Sequence, residues 1–190
     1  MNKKLKREVI EWAILLAVGG GLYFSGYHKD VLGLLQRGIL ATRLFTPDVE
    51  ENAKQANYQF DLVDENGATV PMETFKGQTV FLNIWATWCP PCIAEMPDIN
   101  ELYQALGEEV TFLIISVDDN PDKAIAFRNR KQFDFPVYFA KNGFPQVFHS
   151  RSIPTTYVIS PDGSIVVDQK GMSKYNTEGF RSFLLSLNSN

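Results

Sequence analysis

Cysteine is almost missing from this chain. Its 190 residues hold two, Cys89 and Cys92, so no framework of long-range disulfides braces the fold. Histidine is as scarce: His28 and His149 stand far apart. A structural zinc site needs about four ligands, usually as two close pairs, and one Cys-x-x-Cys with two scattered histidines does not supply them. Positive charge is not in excess either, the net charge being −4. Residues 1–46 carry seven Lys/Arg against three acidic residues, and residues 47–190 carry eleven against nineteen. An acidic main body lacks the basic face that nucleic acid requires, so no nucleic-acid partner is expected. Internal repeats and low-complexity tracts are absent, which removes solenoids and disordered polymers from consideration.

What is present is an ordinary globular composition, 45% hydrophobic and 13% aromatic, enough for a real core. One domain of about 140 residues plus a short appendage fits the length. The informative stretch is Asn83-Ile84-Trp85-Ala86-Thr87-Trp88-Cys89-Pro90-Pro91-Cys92. Its apolar left half reads as the end of a buried strand. Proline costs nothing in a first helical turn, where its missing N–H would be unsatisfied anyway, so the right half reads as a turn into a helix. Cys89 then sits at the helix N-terminus, where free N–H groups and the positive end of the dipole stabilise a thiolate. Cys92, one turn on, is expected to be more buried and to act as the resolving thiol. A purely structural disulfide would close too short a loop to constrain the unfolded chain much. A peroxidatic Thr-x-x-Cys is not formed, because Thr87 lies two residues before Cys89. The pair reads as a redox dithiol.

The one long apolar run follows Lys3, Lys4, Lys6 and Arg7 and spans residues 12–24; counted from 9 to 27 it reaches nineteen residues, close to the roughly 20 that a spanning helix needs. A cleaved signal peptide is the alternative. The lack of a convincing small-x-small site, with Tyr23 and Tyr27 as interfacial anchors, favours an uncleaved membrane helix over residues 1–27. The basic end would stay in the cytoplasm and the remainder would be exported. In residues 28–57, Val31, Leu34, Leu35, Ile39 and Thr42 fall at helical spacing. That segment reads as a membrane-surface helix, a helix packed on the domain or a plain linker, ending in a polar stretch from 48 to 57.

The domain, residues 58–190, opens with a hairpin over 60–70 that turns at Asn66-Gly67. A continuous apolar strand is expected at 79–85 and a helix from the dithiol to about 106, capped by Gly107 and kinked at Pro97. Strands follow at 110–117, 136–140, 155–160 and 164–169. Helices are expected at 121–132 and 175–187, with a weak helical segment at 144–149. Alternating strands and helices that close with a hairpin and helix give an α/β domain, a mixed sheet with helices on both faces.

The block 81–97, the tripeptide Ser116-Val117-Asp118 and the block 153–163 (Ile-Pro-Thr-Thr-Tyr-Val-Ile-Ser-Pro-Asp-Gly) resemble the thioredoxin-fold family. Within it the chain is similar to the membrane-anchored TlpA/ResA-like thiol–disulfide oxidoreductases, over about residues 56–190. The resemblance implies a thioredoxin-like fold with an extra N-terminal β-hairpin. It makes Pro154 a cis-proline facing the dithiol, and Ile153 the residue whose backbone pairs with an extended substrate segment. Trp88 and Pro90 would complete the substrate-binding surface, while Trp85 packs below. Where thioredoxin has a buried Asp, this chain has Asn83, which cannot titrate. Glu95, three residues past Cys92 on the same helix, is expected to be partly buried, with a raised pKa, and to take the proton of Cys92. No cofactor and no metal are implied.

The activity expected is dithiol exchange on disulfides of exported proteins, on the outer side of a bacterial inner membrane crossed once. A membrane thiol carrier would be the electron donor, and cytochrome c maturation is one context the family offers. A disulfide-forming oxidase or isomerase is the near alternative. A redox-inactive tethered binding module is the distant one.

Overall fold

The computed structural model describes residues 54–188, together with Trp12. Apart from that tryptophan, the expected membrane helix (1–27) and the first part of the 28–57 segment lie outside the described residues. Among the described residues no helix is long and apolar enough to cross a membrane.

Among the described residues eight strands form one mixed sheet. They are β1 (Lys54–Gln55), β2 (Asp61–Asp64), β3 (Thr69–Pro71), β4 (Val80–Trp85), β5 (Thr111–Ser116), β6 (Val137–Ala140), β7 (Thr155–Ile159) and β8 (Ser164–Lys170), in the spatial order β1-β8-β7-β4-β5-β6-β2-β3. β4, β5 and β6 run parallel; β7 is antiparallel to β4, and β8 to β7. β4 is buried along its whole length, which is why its sequence, Val-Phe-Leu-Asn-Ile-Trp, does not alternate. Its odd and even residues serve two cores. Phe81 and Trp85 pack with α1 (Pro90–Leu106), α2 (Pro121–Lys131) and α3 (Glu178–Leu187). Val80, Leu82 and Ile84 pack on the opposite face.

That opposite face corrects the expectation of helices on both sides. All three α-helices within residues 54–188 contribute to one core. The other is covered by residues 56–60 crossing the sheet and by 3₁₀ turns at Met72–Phe75 and Gln146–Phe148. Aromatic rings make so thin a cover sufficient: Phe148 lies 5.8 Å from Phe60 and 5.3 Å from Tyr157, centre to centre. Lys54 and Gln55 pair with Ile165 and Ser164, so the sheet begins before residue 58.

The hairpin turns as expected, with Gly67 at φ +82°, and its β2 pairs with β6. The 175–187 helix starts later, at Glu178, because Thr177 caps it by accepting from the Phe180 N–H, while Tyr175 and Asn176 are held elsewhere. α1 continues through Pro97 to Leu106, and Gly107 follows at φ −66°, a right-handed conformation.

Candidate active site

The dithiol sits where β4 hands over to α1. Cys89 is the helix N-cap and Pro90 and Pro91 fill the first turn. The two cysteines are joined as a disulfide, and the Cys92 N–H points at Cys89 Sγ, 3.3 Å away. A helix N–H aimed at this sulfur would favour its thiolate once the bond is opened. Cys92 is fully buried. Cys89 is itself only 4% exposed, while Trp88 beside it is 53% exposed. Ile153–Pro154 is a cis peptide, and the Ile153 carbonyl oxygen lies 3.7 Å from Cys89 Sγ. The structure thus brings Cys89, Cys92, Ile153 and Pro154 together, and Trp88 and Pro90 flank Cys89 in sequence.

A second group holds the turn before Cys89. Asp118, just past β5, accepts from the Thr87 N–H (2.9 Å), the Thr87 hydroxyl (2.6 Å) and the Ser116 hydroxyl (2.9 Å). Val117 donates to the Trp85 carbonyl, which ties the same corner to the neighbouring strand. Residues 86–88 are therefore fixed from β5. The motif Ser116-Val117-Asp118 marked this place by resemblance; its function as a clamp depends on β5 lying beside β4.

Below the dithiol lies Glu95. It has no exposed surface, a stronger burial than expected. Oε1 accepts from Asn83 Nδ2 (2.8 Å) and Oε2 from the Ser173 N–H (3.1 Å). Burial pushes its pKa up to about 8, with Asp98 adding to the rise and the two donors opposing it. Asn83 Nδ2 also donates to Thr156 Oγ1 at 2.8 Å, and the Tyr175 hydroxyl donates to that same oxygen at 2.7 Å. Burial and the nearby Glu95 hold the Tyr175 phenol well above its ordinary pKa, so its O–H remains a donor.

Sequence reasoning named Glu95 but not this surrounding set. Asn83 and Thr156 face each other across β4 and β7, a pairing that exists only once the sheet order is known. Further along α1, Asp98 accepts from the N–H groups of Tyr175 (2.6 Å) and Asn176 (2.8 Å), and Glu101 from Asn176 Nδ2 (2.9 Å). Burial raises the pKa of Asp98 as well, against the pull of its two backbone donors and Lys174. Three carboxylates one turn apart thus grip residues 173–176. Gly171, just before them, donates to the Pro154 carbonyl and links this segment to the loop facing Cys89. Among the described residues no cluster of His, Cys, Asp and Glu could hold a metal ion.

A buried carboxyl titrating near a thiol, a helix-capping cysteine and an adjacent backbone carbonyl form a site suited to moving one proton and exchanging one disulfide. The chain is similar to known proteins. Residues 52–168 match the model of the AhpC/TSA family. The thiol-disulfide oxidoreductase ResA of Bacillus cereus (strain ATCC 10987 / NRS 248) is 39% identical over 174 residues, covering 90% of this chain and 89% of its own. The ResA of Bacillus anthracis is 35% identical over 180 residues, covering 93% and 96%. Among solved structures, a putative thiol:disulfide interchange protein DsbE from Chlorobium tepidum superposes with TM-score 0.60 at 21% identity, over 72% of this chain and 99% of its own. StoA from Bacillus subtilis does so with TM-score 0.54 at 22% identity, over 72% and 98%. At these identities the structures speak for the shared fold.

Proposed function

Because the chain belongs to the AhpC/TSA family and, within it, to the ResA thiol–disulfide oxidoreductases, we propose that it works as a membrane-tethered reductase of disulfides in exported proteins. The observation that carries the reading is the stacked arrangement of helix-capping Cys89, buried Cys92 and fully buried Glu95 on one helix. In the reduced protein the Cys89 thiolate attacks a substrate disulfide. A Cys89–substrate bond forms, the substrate S–S bond breaks, and the first substrate sulfur leaves as a thiolate. Cys92 then gives its proton to ionised Glu95 and attacks Cys89 Sγ. The mixed disulfide breaks, the second substrate sulfur leaves, and Cys89–Cys92 is restored with two electrons passed to the substrate.

Glu95 is matched to this task. Its pKa, raised to about 8 by burial, makes Glu95 a far stronger base than an ordinary carboxylate and so able to take up a thiol proton. Trp88, Pro90, Ile153 and cis Pro154 form the surface on which an extended substrate segment would lie, the Ile153 backbone pairing with it as an added strand. Reduction is favoured over oxidation because Pro90-Pro91 brings no cation between the cysteines to stabilise the dithiol form. The basic N-terminus and the following apolar run support a single membrane crossing with the domain outside. A membrane thiol carrier would re-reduce it, and cytochrome c apoproteins are one substrate class.

The test is the reduction potential of the full chain, equilibrated in thiol–disulfide buffers and read by tryptophan fluorescence. A value at or below about −220 mV, among glutaredoxins and thioredoxin, is expected. One near about −120 mV, like the strong periplasmic oxidant, would reverse the direction and make the protein an oxidase. No reversible two-electron transition would leave only a binding module.

A further inference from the structure

One side chain under the dithiol has no part in the proton exchange just described, although it touches the group that performs it. Asn83 is fully buried. Its Nδ2 donates twice, to Glu95 Oε1 and to Thr156 Oγ1, while its buried Oδ1 meets no hydrogen-bond partner among the described residues. Thr156 Oγ1 accepts from both Asn83 and Tyr175. This pattern suits an ionised Glu95, which can only accept. Once Glu95 carries the proton, its O–H must donate, and an NH₂ group is then the wrong neighbour.

A half-turn of the Asn83 amide exchanges Nδ2 and Oδ1 in place. Oδ1 would then face Glu95 Oε1 and Thr156 Oγ1. It would accept the Glu95 O–H and the Thr156 O–H, while Tyr175 goes on donating to Thr156. Each orientation forms two hydrogen bonds through the atom facing Glu95 and leaves the opposite atom unpaired. Neither is favoured until the proton decides between them. No backbone needs to move, and the register of Asn83 against Thr156 is kept.

We propose that Asn83 is a positioning residue whose side-chain amide turns over with each protonation of Glu95, donating to the carboxylate and accepting from the acid. The proposal rests on the reading that Glu95 exchanges a proton with Cys92. The proton leaves Cys92 Sγ, arrives on Glu95 Oε1 and returns by the same route, so nothing else is consumed. The gain is that the carboxyl is hydrogen-bonded in both states, and neither transfer strands it unsatisfied in the core. Besides Cys92, three residues before it on α1, the titratable groups that interact with Glu95 are Asp98 on α1 and Tyr175 from the segment after β8. Lys174 and Glu101 act on Asp98, and β4 and β7 present Asn83 and Thr156, which do not titrate.

The experiment is an NMR titration of the full chain in detergent micelles from about pH 5 to about pH 10, wide enough to cross both carboxyl and thiol values. It follows the Glu95 carboxyl carbon and the Asn83 side-chain NH₂. Above the Glu95 midpoint, both Asn83 amide protons are expected downfield and slow to exchange. Below it both should move upfield, at the same midpoint. Amide signals that keep their hydrogen bonds across the Glu95 titration would overturn the proposal. Asn83→Leu gives a second measurement: it takes a partner from the carboxylate and from the acid alike, so the Glu95 midpoint, and with it the pH profile of mixed-disulfide resolution, should stay within about a few tenths of a unit of the parent's. A rise of about one unit, the mark of a fixed donor that serves the carboxylate alone, with Glu95→Gln still altering the profile, would also overturn the proposal while sparing the role of Glu95. A resolution profile indifferent to Glu95→Gln would instead refute the proton exchange itself.

Discussion

A carboxyl group with no exposed surface titrates as its surroundings dictate, and those of Glu95 favour the acid. Its folded value of about 8 lies above the ordinary 4.5, so the native state binds the proton more tightly than the unfolded chain does. That contribution to stability is full below about pH 4.5, declines as the pH rises and is lost once it passes about 8. At about 1.4 kcal/mol per unit, the loss amounts to a few kcal/mol. Glu95→Gln should therefore stabilise the oxidised protein at pH 8.5 but much less at pH 4.5, as read by urea unfolding at the two pH values. Equal effects at both would mean that Glu95 is not the proton-binding group. The same variant should slow resolution of the mixed disulfide and remove the limb of the rate–pH profile near 8. Asp118 acts differently, by geometry alone. Asp118→Ala strands the Thr87 N–H and hydroxyl at a part-buried corner, a loss of about 1–3 kcal/mol in unfolding free energy.

At the scale of elements, α1 does more than present the dithiol. Its face carrying Glu95, Asp98 and Glu101 holds residues 173–176, and through Gly171 that segment meets the Pro154 carbonyl. Asp98→Ala should raise the hydrogen-exchange rates of the Tyr175 and Asn176 amides by an order of magnitude or more, since each loses a charge-assisted partner. Rates left at parental values would mean that packing of Tyr175 on Phe81 and Phe180 holds the segment instead. On the other face the cover is thin, and Phe148 bridges Phe60 and Tyr157. Phe148→Ala should cost about 3–5 kcal/mol, as for other large core aromatics, measurable by thermal or chemical unfolding.

On the proposed function, the molecule as a whole is a redox domain joined to a membrane address. Two N-terminal segments compete to explain the proposed membrane binding, the run at 12–24 and the amphipathic stretch at 28–46, and extraction separates them. Alkaline carbonate should leave the full chain in the membrane pellet if residues 9–27 span the bilayer. A helix merely lying on the surface would be released into the supernatant. Protease added to sealed cells from outside, or to spheroplasts, should then reach the domain and not the basic terminus.

The local features of this protein were legible along the chain because they depend on neighbours in sequence. The apolar run of β4, the double proline behind Cys89 and the Asn66-Gly67 turn each state their conformation through backbone sterics and burial. Cys89, Cys92 and Glu95 could be placed on one helix by spacing alone. The tertiary structure decided what meets that helix from afar. Asn83 and Thr156 become partners only because β4 and β7 pair in one register, and Tyr175 joins them only because the chain returns past α1 after β8. The same holds for Asp118 on Thr87, for β1 on β8, and for the face covered by aromatic turns instead of helices. Propensity and periodicity record which side of an element is buried. They do not record which other element buries it, and the proton chemistry of Glu95 depends on that second fact.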